Sequence, residues 1–489
     1  MWIPSQEWLT PQLSAGASAF IRIAYGALLF GTLVLVLPQA RRFFVSERFH
    51  GYVRSSRAAD ALQNTVAYPL IMAIWFLCAA LIAIGRWSVW AALINLFICH
   101  HFFVRMRWSS LVRGMGAPGF MTYWLAAAVL LLEGTRQYAP ATISLALFVL
   151  QADFSLILLS AGLYKLTAGY PRNYGMELGL VNPEWGYWWR FYSRLSPDLW
   201  LFRLYNHLAW TTEVAAALLM LVPPTRFLGG LLIICSFAFI ATQIRLGWLC
   251  EMVMICGVLF FYPGSGGDRL IARVFSAPGV GVSHELPALN SMLTIGLWAY
   301  LALLPLAHGG LFYNFYARRA LPRALQRGLE WYTNFFGIII WRVFSVDLIN
   351  FYVLIYRQPR SGGRRLLVSR YGWRGGLRYS HVGESITITS LFTTLKYYGS
   401  NEPLFAERLM RYARTVSCSV EEVLIFEYVC LKKTRTHFEH LPAAEFKVDL
   451  VAGTVSEKVL NQAASIRTAH AVSPVHEGAG PGSYAPREQ

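Results

Sequence analysis

Charge is the scarcest property of this chain. Only 14% of its 489 residues are Asp, Glu, Lys or Arg, against 56% hydrophobic and 15% aromatic residues. A chain of this size with so little charge does not read as an ordinary soluble protein. Acidic residues are the scarcer sign, 26 against 43 Lys and Arg. Much of the excess is Arg in loops beside apolar runs, which suits anionic headgroups and the control of topology. No DNA- or RNA-binding motif accompanies it, so the charge is not read as a nucleic-acid surface. Cysteine is also sparse, with seven in all. Cys78, Cys99, Cys235, Cys250 and Cys256 fall in or beside apolar runs, without the CxxC or Cys/His spacing of a zinc site. Buried free thiols are expected, and no metal. The first residues lack a basic n-region, so no cleaved signal peptide is read.

What the chain does have is apolar runs of bilayer length. They predict an all-α polytopic membrane bundle of about nine spans. The runs lie near 19–37, 66–85, 87–104, 119–133, 141–165, 208–222, 227–243, 248–262 and 289–306. Residues 1–310 form the expected bundle and 311–345 an amphipathic, interfacial linker. Residues 346–463 alternate strand-like runs with one helix-like segment and read as a small α+β domain. Residues 464–489, rich in Gly, Pro, Ser and Ala, read as a disordered tail. The stretch between the first two spans is basic and reads as lying at the interface. Most loop Arg residues follow the odd-numbered spans, so the positive-inside rule places the C-terminal domain in the cytoplasm.

The run 141–165 is unusual for a span. As a helix of 25 residues it would reach roughly 37 Å at ~1.5 Å per residue. Gln151, Ser155, Gly162 and Lys165 fall on one stripe, and Asp153, Ser160 and Tyr164 on nearly the opposite one. Polar groups on two faces predict a helix enclosed by its neighbours. Lys165 has two readings: a lysine that snorkels to headgroups, or a desolvated amine able to act as a general base. Asp153 is expected to pair with Arg245 or His207, or to handle protons. Glu213 is read as a protonated or paired carboxyl in the bundle, and Gln243 and Arg245 as lining the same cavity or marking the interface. Trp185, Trp188, Trp189 and Tyr192 in the following loop suit either an isoprenoid pocket or an interfacial belt.

The segment AGLYKLTAGYPRNYGME, 161–177, resembles the motif region of the vitamin K-dependent γ-carboxylases and their bacterial relatives, the horizontally transferred transmembrane domain proteins. Those carboxylases carry their base in a stretch AG-x-x-K, where Ala161, Gly162 and Lys165 stand here. Gly175, Met176 and Glu177 fall in the Gly- and aromatic-containing stretch that follows. Tyr164 stands where the carboxylases have a second lysine. His100 and His101 lie near the place of a histidine on which that family relies, although adjacent helix positions point about 100° apart and do not chelate. Glu213 resembles a glutamate shown there by family members.

The resemblance implies Lys165 as base toward reduced vitamin K or menaquinol, coupled to carboxylation of a glutamate in a protein or peptide substrate. Substrate-binding positions would be Tyr164, Gly175, Met176, Glu177, Trp185, Trp188, Glu213, Asp153 and Gln243. Two further readings stand beside this enzyme. One is a non-enzymatic lipid-binding scaffold or maturation factor that docks a partner on the C-terminal domain. The other is a transporter with Asp153 and Glu213 along its path, which the absence of an internal repeat disfavours.

Overall fold

The computed structural model describes residues 10–275, 285–317, 319–342, 345–363, 365–367, 382–397, 402–416 and 421–462. The expected tail, 464–489, lies outside the described residues. The chain is mostly helical, with seven helical segments long and apolar enough to cross a membrane and one small antiparallel sheet.

The bundle is built from α1 (Ala15–Val36), α2 (Ala67–Ile84), α3 (Ser88–Cys99), α4 (Gly116–Tyr138), α5 (Ile143–Thr167), α6 (Met176–Val181), α7 (Trp200–Leu221), α8 (Arg226–Gln243), α9 (Leu249–Gly257) and α10 (Pro287–Ala317). Two runs expected as spans do not meet the criteria of length and apolarity. The run 208–222 belongs to α7, whose first turns carry Arg203 and His207. The apolar helix at 249–260 is only 12 residues long, about 18 Å at ~1.5 Å per residue, short of a bilayer core. Leu70, Leu77, Phe97, Leu228, Phe239, Met292 and Ile295 stand exposed on the outer helices, as lipid-facing side chains would.

Several ionisable groups within the bundle find partners. Arg22 of α1 is buried; its Nη1 donates to the carbonyl of Ile82 at 2.5 Å, and its Nε lies 3.8 Å from Glu133 Oε2. Its guanidinium sits where a Cβ on Gly85 would stand. Gly85 itself has φ +81°, so the tight α2–α3 hairpin needs glycine there on both counts.

After α10 the amphipathic helix α11 (Arg323–Phe336) leads into the C-terminal domain. That domain comprises β1 (Phe351–Pro359), β2 (Leu366–Leu367), α12 (Val382–Tyr397), α13 (Glu402–Thr415), β3 (Glu422–Lys433), β4 (Phe438–Asp449) and β5 (Thr454–Val459), with strand order β2-β1-β3-β4-β5. β1 and β2 pair antiparallel, with Tyr356 opposite Leu367. Phe405, Leu409 and Tyr412 of α13 are buried, and Phe405 meets Phe392 and Phe446 edge-on.

The domain shares one hydrophobic core with the bundle. Loops following the first, third, fifth and seventh apolar runs meet at this end, bridged through Val53–Ser110 and Gly186–Ile244. The stretch between α1 and α2 contributes to the docking surface. Arg42 lies 3.0 Å from Glu384 and donates to Thr415 Oγ1 at 3.1 Å, while Arg411 lies 2.6 Å from Glu47. Asn182 Nδ2 donates to the carbonyls of Ile349 and Phe351 at 2.9 and 2.8 Å.

Candidate functional site

The central helix α5 is enclosed, as its two polar stripes require. It packs against α4, α7 and α10, and most of its polar side chains find partners on these or other elements. Gln151 Nε2 donates to the carbonyl of Leu259 at 2.7 Å, and Ser160 Oγ accepts from the Trp341 amide at 3.3 Å. Asp153 does not pair with Arg245 or His207. It accepts from Trp124 Nε1 at 2.9 Å and Tyr300 Oη at 3.0 Å, because its stripe of α5 faces α4 and α10. Arg245 turns instead to the carbonyl of Pro183, at 2.7 Å, and His207 is exposed.

Lys165 does not snorkel. It is 3% exposed, and its Nζ lies 2.5 Å from Glu213 Oε1 and 3.3 Å from the carbonyl of Ala209, both on α7. The ammonium sits 6.0 Å above the Tyr170 ring. Close packing of the two helices allows this: a Cβ on Gly162 would stand 2.5 Å from Val214 Cγ2 and 3.2 Å from the carbonyl of Trp210. The same packing leaves the pair tightly walled.

The loop after α5 builds a second buried pair. Glu177 is fully buried; its Oε2 accepts from Gly175 N at 3.1 Å and Asn206 Nδ2 at 2.7 Å, and its Oε1 lies 3.0 Å from Lys433 Nζ at the end of β3. Lys433 also donates to the carbonyl of Asn173 at 2.7 Å, and the Met176 amide donates to Asn206 Oδ1 at 2.7 Å. Between the two pairs lies Tyr170. Burial, with Glu213, Tyr164 and Glu177 nearby, pushes its hydroxyl well above the ordinary tyrosine value, so it stays neutral. Gly175 lies against that ring, with the site of a Cβ 2.7 Å from Tyr170 Cε2.

Other expected site residues are scattered. His100 and His101 belong to a π-helical turn at the end of α3, His100–Arg105. His100 Nε2 lies 2.9 Å from the carbonyl of Phe335, and His101 packs edge-on against Phe102. No described hydrogen bond or ring contact joins either to Lys165. Trp188 is 58% exposed and donates to the carbonyl of Thr242 at 3.0 Å, a surface position. Gln243 Oε1 accepts from Tyr192 Oη at 2.7 Å. Among the described residues, no three His, Cys, Asp or Glu side chains are grouped so as to hold a metal.

The room for a ligand lies elsewhere. A cavity of ≈ 370 Å³ opens where the bundle end, α11 and α12 meet. Its walls are largely apolar: Leu311, Phe315, Leu329, Ile338, Ile340, Trp341, Val382 and Ile386. Trp185 of the aromatic loop lines it, whereas Lys165, Glu213, Asp153 and Gln243 do not. Tyr164 comes near it indirectly. Arg342, a wall residue, has its guanidinium 6.0 Å from the Tyr164 ring and 5.8 Å from that of Phe315. Tyr164 and Lys165 are neighbours on α5 and point about 100° apart, so the cavity and the buried pair occupy different faces of one helix.

Sequence reading missed this cavity because 311–345 reads as a linker. A signal is present: Arg107, Trp108 and Arg113 are close in sequence, and each guanidinium stacks on the Trp108 ring, at 4.9 and 5.5 Å. No family model matches the chain, and neither a curated protein nor a solved structure matches it.

Proposed function

We propose that this chain is a membrane protein that binds an amphipathic or lipophilic molecule in the cavity between its helical bundle and its C-terminal domain. The observation that supports the reading is the ≈ 370 Å³ cavity with mostly apolar walls, a volume within the usual range of small-molecule sites. The aromatic loop takes part through Trp185, and the domain through α12. On this reading the protein is the lipid-binding scaffold or maturation factor among the sequence-based expectations, with its domain on the cytoplasmic side. The test is mass spectrometry of molecules co-purified with the protein, repeated after Ile386→Trp to fill the cavity. A bound quinone or lipid in the parent and its loss in the variant is the expected result. Equal retention would count against the cavity as the site.

A second reading keeps the relation to the γ-carboxylases and their use of a quinol. The sealed Lys165–Glu213 pair favours it, because ionisable groups held within a bundle are functional candidates. An ammonium beside a carboxylate is not itself a base. Passing the Lys165 proton to Glu213 leaves a neutral amine and a neutral acid, and that amine can then accept a proton from a quinol hydroxyl. A lipophilic quinol would have to part α5 from α7 to reach it. Vitamin K hydroquinone or menaquinol, labelled bicarbonate and a glutamate-rich peptide would be supplied to the purified protein. Epoxide formation that disappears with Lys165→Ala supports the enzyme; no turnover with either quinol leaves the binding protein. Transport gains less support, since neither Asp153 nor Glu213 lines the cavity.

A further inference from the structure

Two guanidinium groups line this cavity with no carboxylate paired to either among the described residues. Arg107 and Arg342 both line it, and neither has a carboxylate within ion-pair distance among the described residues. Burial, and then the charge of Arg342, pushes the Arg107 guanidinium down to about 10, which still leaves it charged at neutral pH. Glu330 is the only carboxylate among the described lining residues, and it is engaged as acceptor for Gln326 Nε2 at 2.8 Å. Holding two like charges on one half-buried wall is unfavourable unless an anion joins them.

The local backbone holds them in place at some cost. Arg107 and Trp108 follow the π-helical turn His100–Arg105 after a single residue, Met106. They face a turn in which Arg113, Gly114, Met115 and Gly116 all have positive φ, between +50° and +63°. Two of those four are not glycine, and such strain persists where surrounding structure imposes it, often at ligand sites. Among the described residues, four wall groups are buried with no hydrogen-bond partner: Trp185 Nε1, Trp341 Nε1, Thr389 Oγ1 and the acceptor Asn314 Oδ1. Three of the four can donate, as the two guanidinium groups do, and Asn314 Oδ1 accepts. The remaining walls are apolar, so the site is cationic at one part and greasy over the rest.

We propose that the cavity takes a phosphate-bearing amphiphile, its phosphate between Arg107 and Arg342 and its hydrocarbon against Trp341, Phe315, Leu329 and Ile386. This rests on the reading of the cavity as a lipid site and adds the headgroup. Arg is suited to the task because its planar fork bonds phosphate oxygens in pairs. A lipid phosphate and a soluble phosphate share that chemistry, and the apolar walls select the lipid.

The test titrates the full-length, delipidated protein in detergent with phosphatidic acid, with diacylglycerol of the same chains, and with inorganic phosphate, read by native mass spectrometry. Phosphatidic acid should bind at least about tenfold more tightly than diacylglycerol, and Arg107→Gln with Arg342→Gln should remove that preference while leaving diacylglycerol binding in place. The parent's preference needs no variant, so a misfolded double variant does not protect the proposal. Equal binding of the two lipids by the parent overturns the headgroup assignment and leaves the lipid site standing. Binding of neither lipid overturns both. Inorganic phosphate that binds as tightly as phosphatidic acid assigns the arginines to a soluble anion and overturns the amphiphile.

Discussion

The Lys165–Glu213 pair makes a prediction that separates a structural role from a chemical one. Both side chains are 4% exposed and their charged atoms lie 2.5 Å apart. Removing one partner leaves the other charge stranded where water does not reach. Such single changes cost about 3–5 kcal/mol, whereas replacing both partners by apolar groups of similar size is often neutral or stabilising. Lys165→Met and Glu213→Leu should therefore each destabilise the protein by about that amount, and the double variant should recover most of it. The natural assay is equilibrium unfolding in mixed micelles, with the four proteins forming a double-mutant cycle. The lone hydrogen bond to Ala209, at 3.3 Å, is too weak to hold Lys165 without its partner. Single variants within about 0.5 kcal/mol of the parent would refute the reasoning, since that is the behaviour of a solvated surface pair. Should the double variant be as stable as the parent yet lack a quinol-dependent activity the parent shows, the pair is chemical. Recovery of both assigns it to packing.

Three further outcomes follow from the loop and the domain it holds. Glu184 lies in the buried turn after α6, where burial, reinforced by Glu384 and opposed by Ser385 and Arg245, pushes its carboxyl up to about 8. A raised folded-state value means that its stabilising contribution is full below about pH 4.5 and is lost as pH rises through about 8, so thermal midpoints should fall across that window and Glu184→Gln should flatten the fall. Lys433→Met strands the fully buried Glu177; the cost should be about 3–5 kcal/mol, and limited proteolysis should release the C-terminal domain sooner, whereas an unchanged digestion rate would show that the pair does not hold the domain. Gly175→Ala sets a Cβ about 2.7 Å from the Tyr170 ring, an overpacking that should cost about 1–3 kcal/mol and be relieved by Tyr170→Leu in the same chain.

Much of the architecture is legible in the residues. Apolar length gives the long spans, the twin polar stripes of the central helix give its enclosure, and the one helix-like segment of 346–463 gives a helix of the domain. The partners of buried ions are another matter. Asp153 is three helical turns from Lys165 on the same helix, yet its neighbours come from α4 and α10 and those of Lys165 from α7; nothing local encodes which neighbour faces which stripe. Glu177 reaches Lys433 across 256 positions of chain, a pairing that only the docked domain creates. The short loop glycines are legible one at a time, as Gly85 is, but not the residue each accommodates.

The cavity explains why the linker resisted reading. An amphipathic helix beside a membrane bundle ordinarily lies on the lipid surface, with its apolar face in the headgroups. In α11 that geometry is only half followed: Leu325, Trp331 and Phe335 are exposed, while Gln326, Tyr332 and Thr333 are buried. The helix thus turns a partly polar face inward, which an interfacial helix has no reason to do. Gln326 and Thr333 of that inward face, with Leu329 and Glu330, wall the cavity. The bundle end, α11 and α12 each contribute walls, so closure of the site requires the domain to be docked. Anything that loosens the Glu177–Lys433 pair should therefore weaken ligand retention as well as domain anchoring. A Lys433→Met protein that frees its domain yet keeps its bound lipid would break that connection.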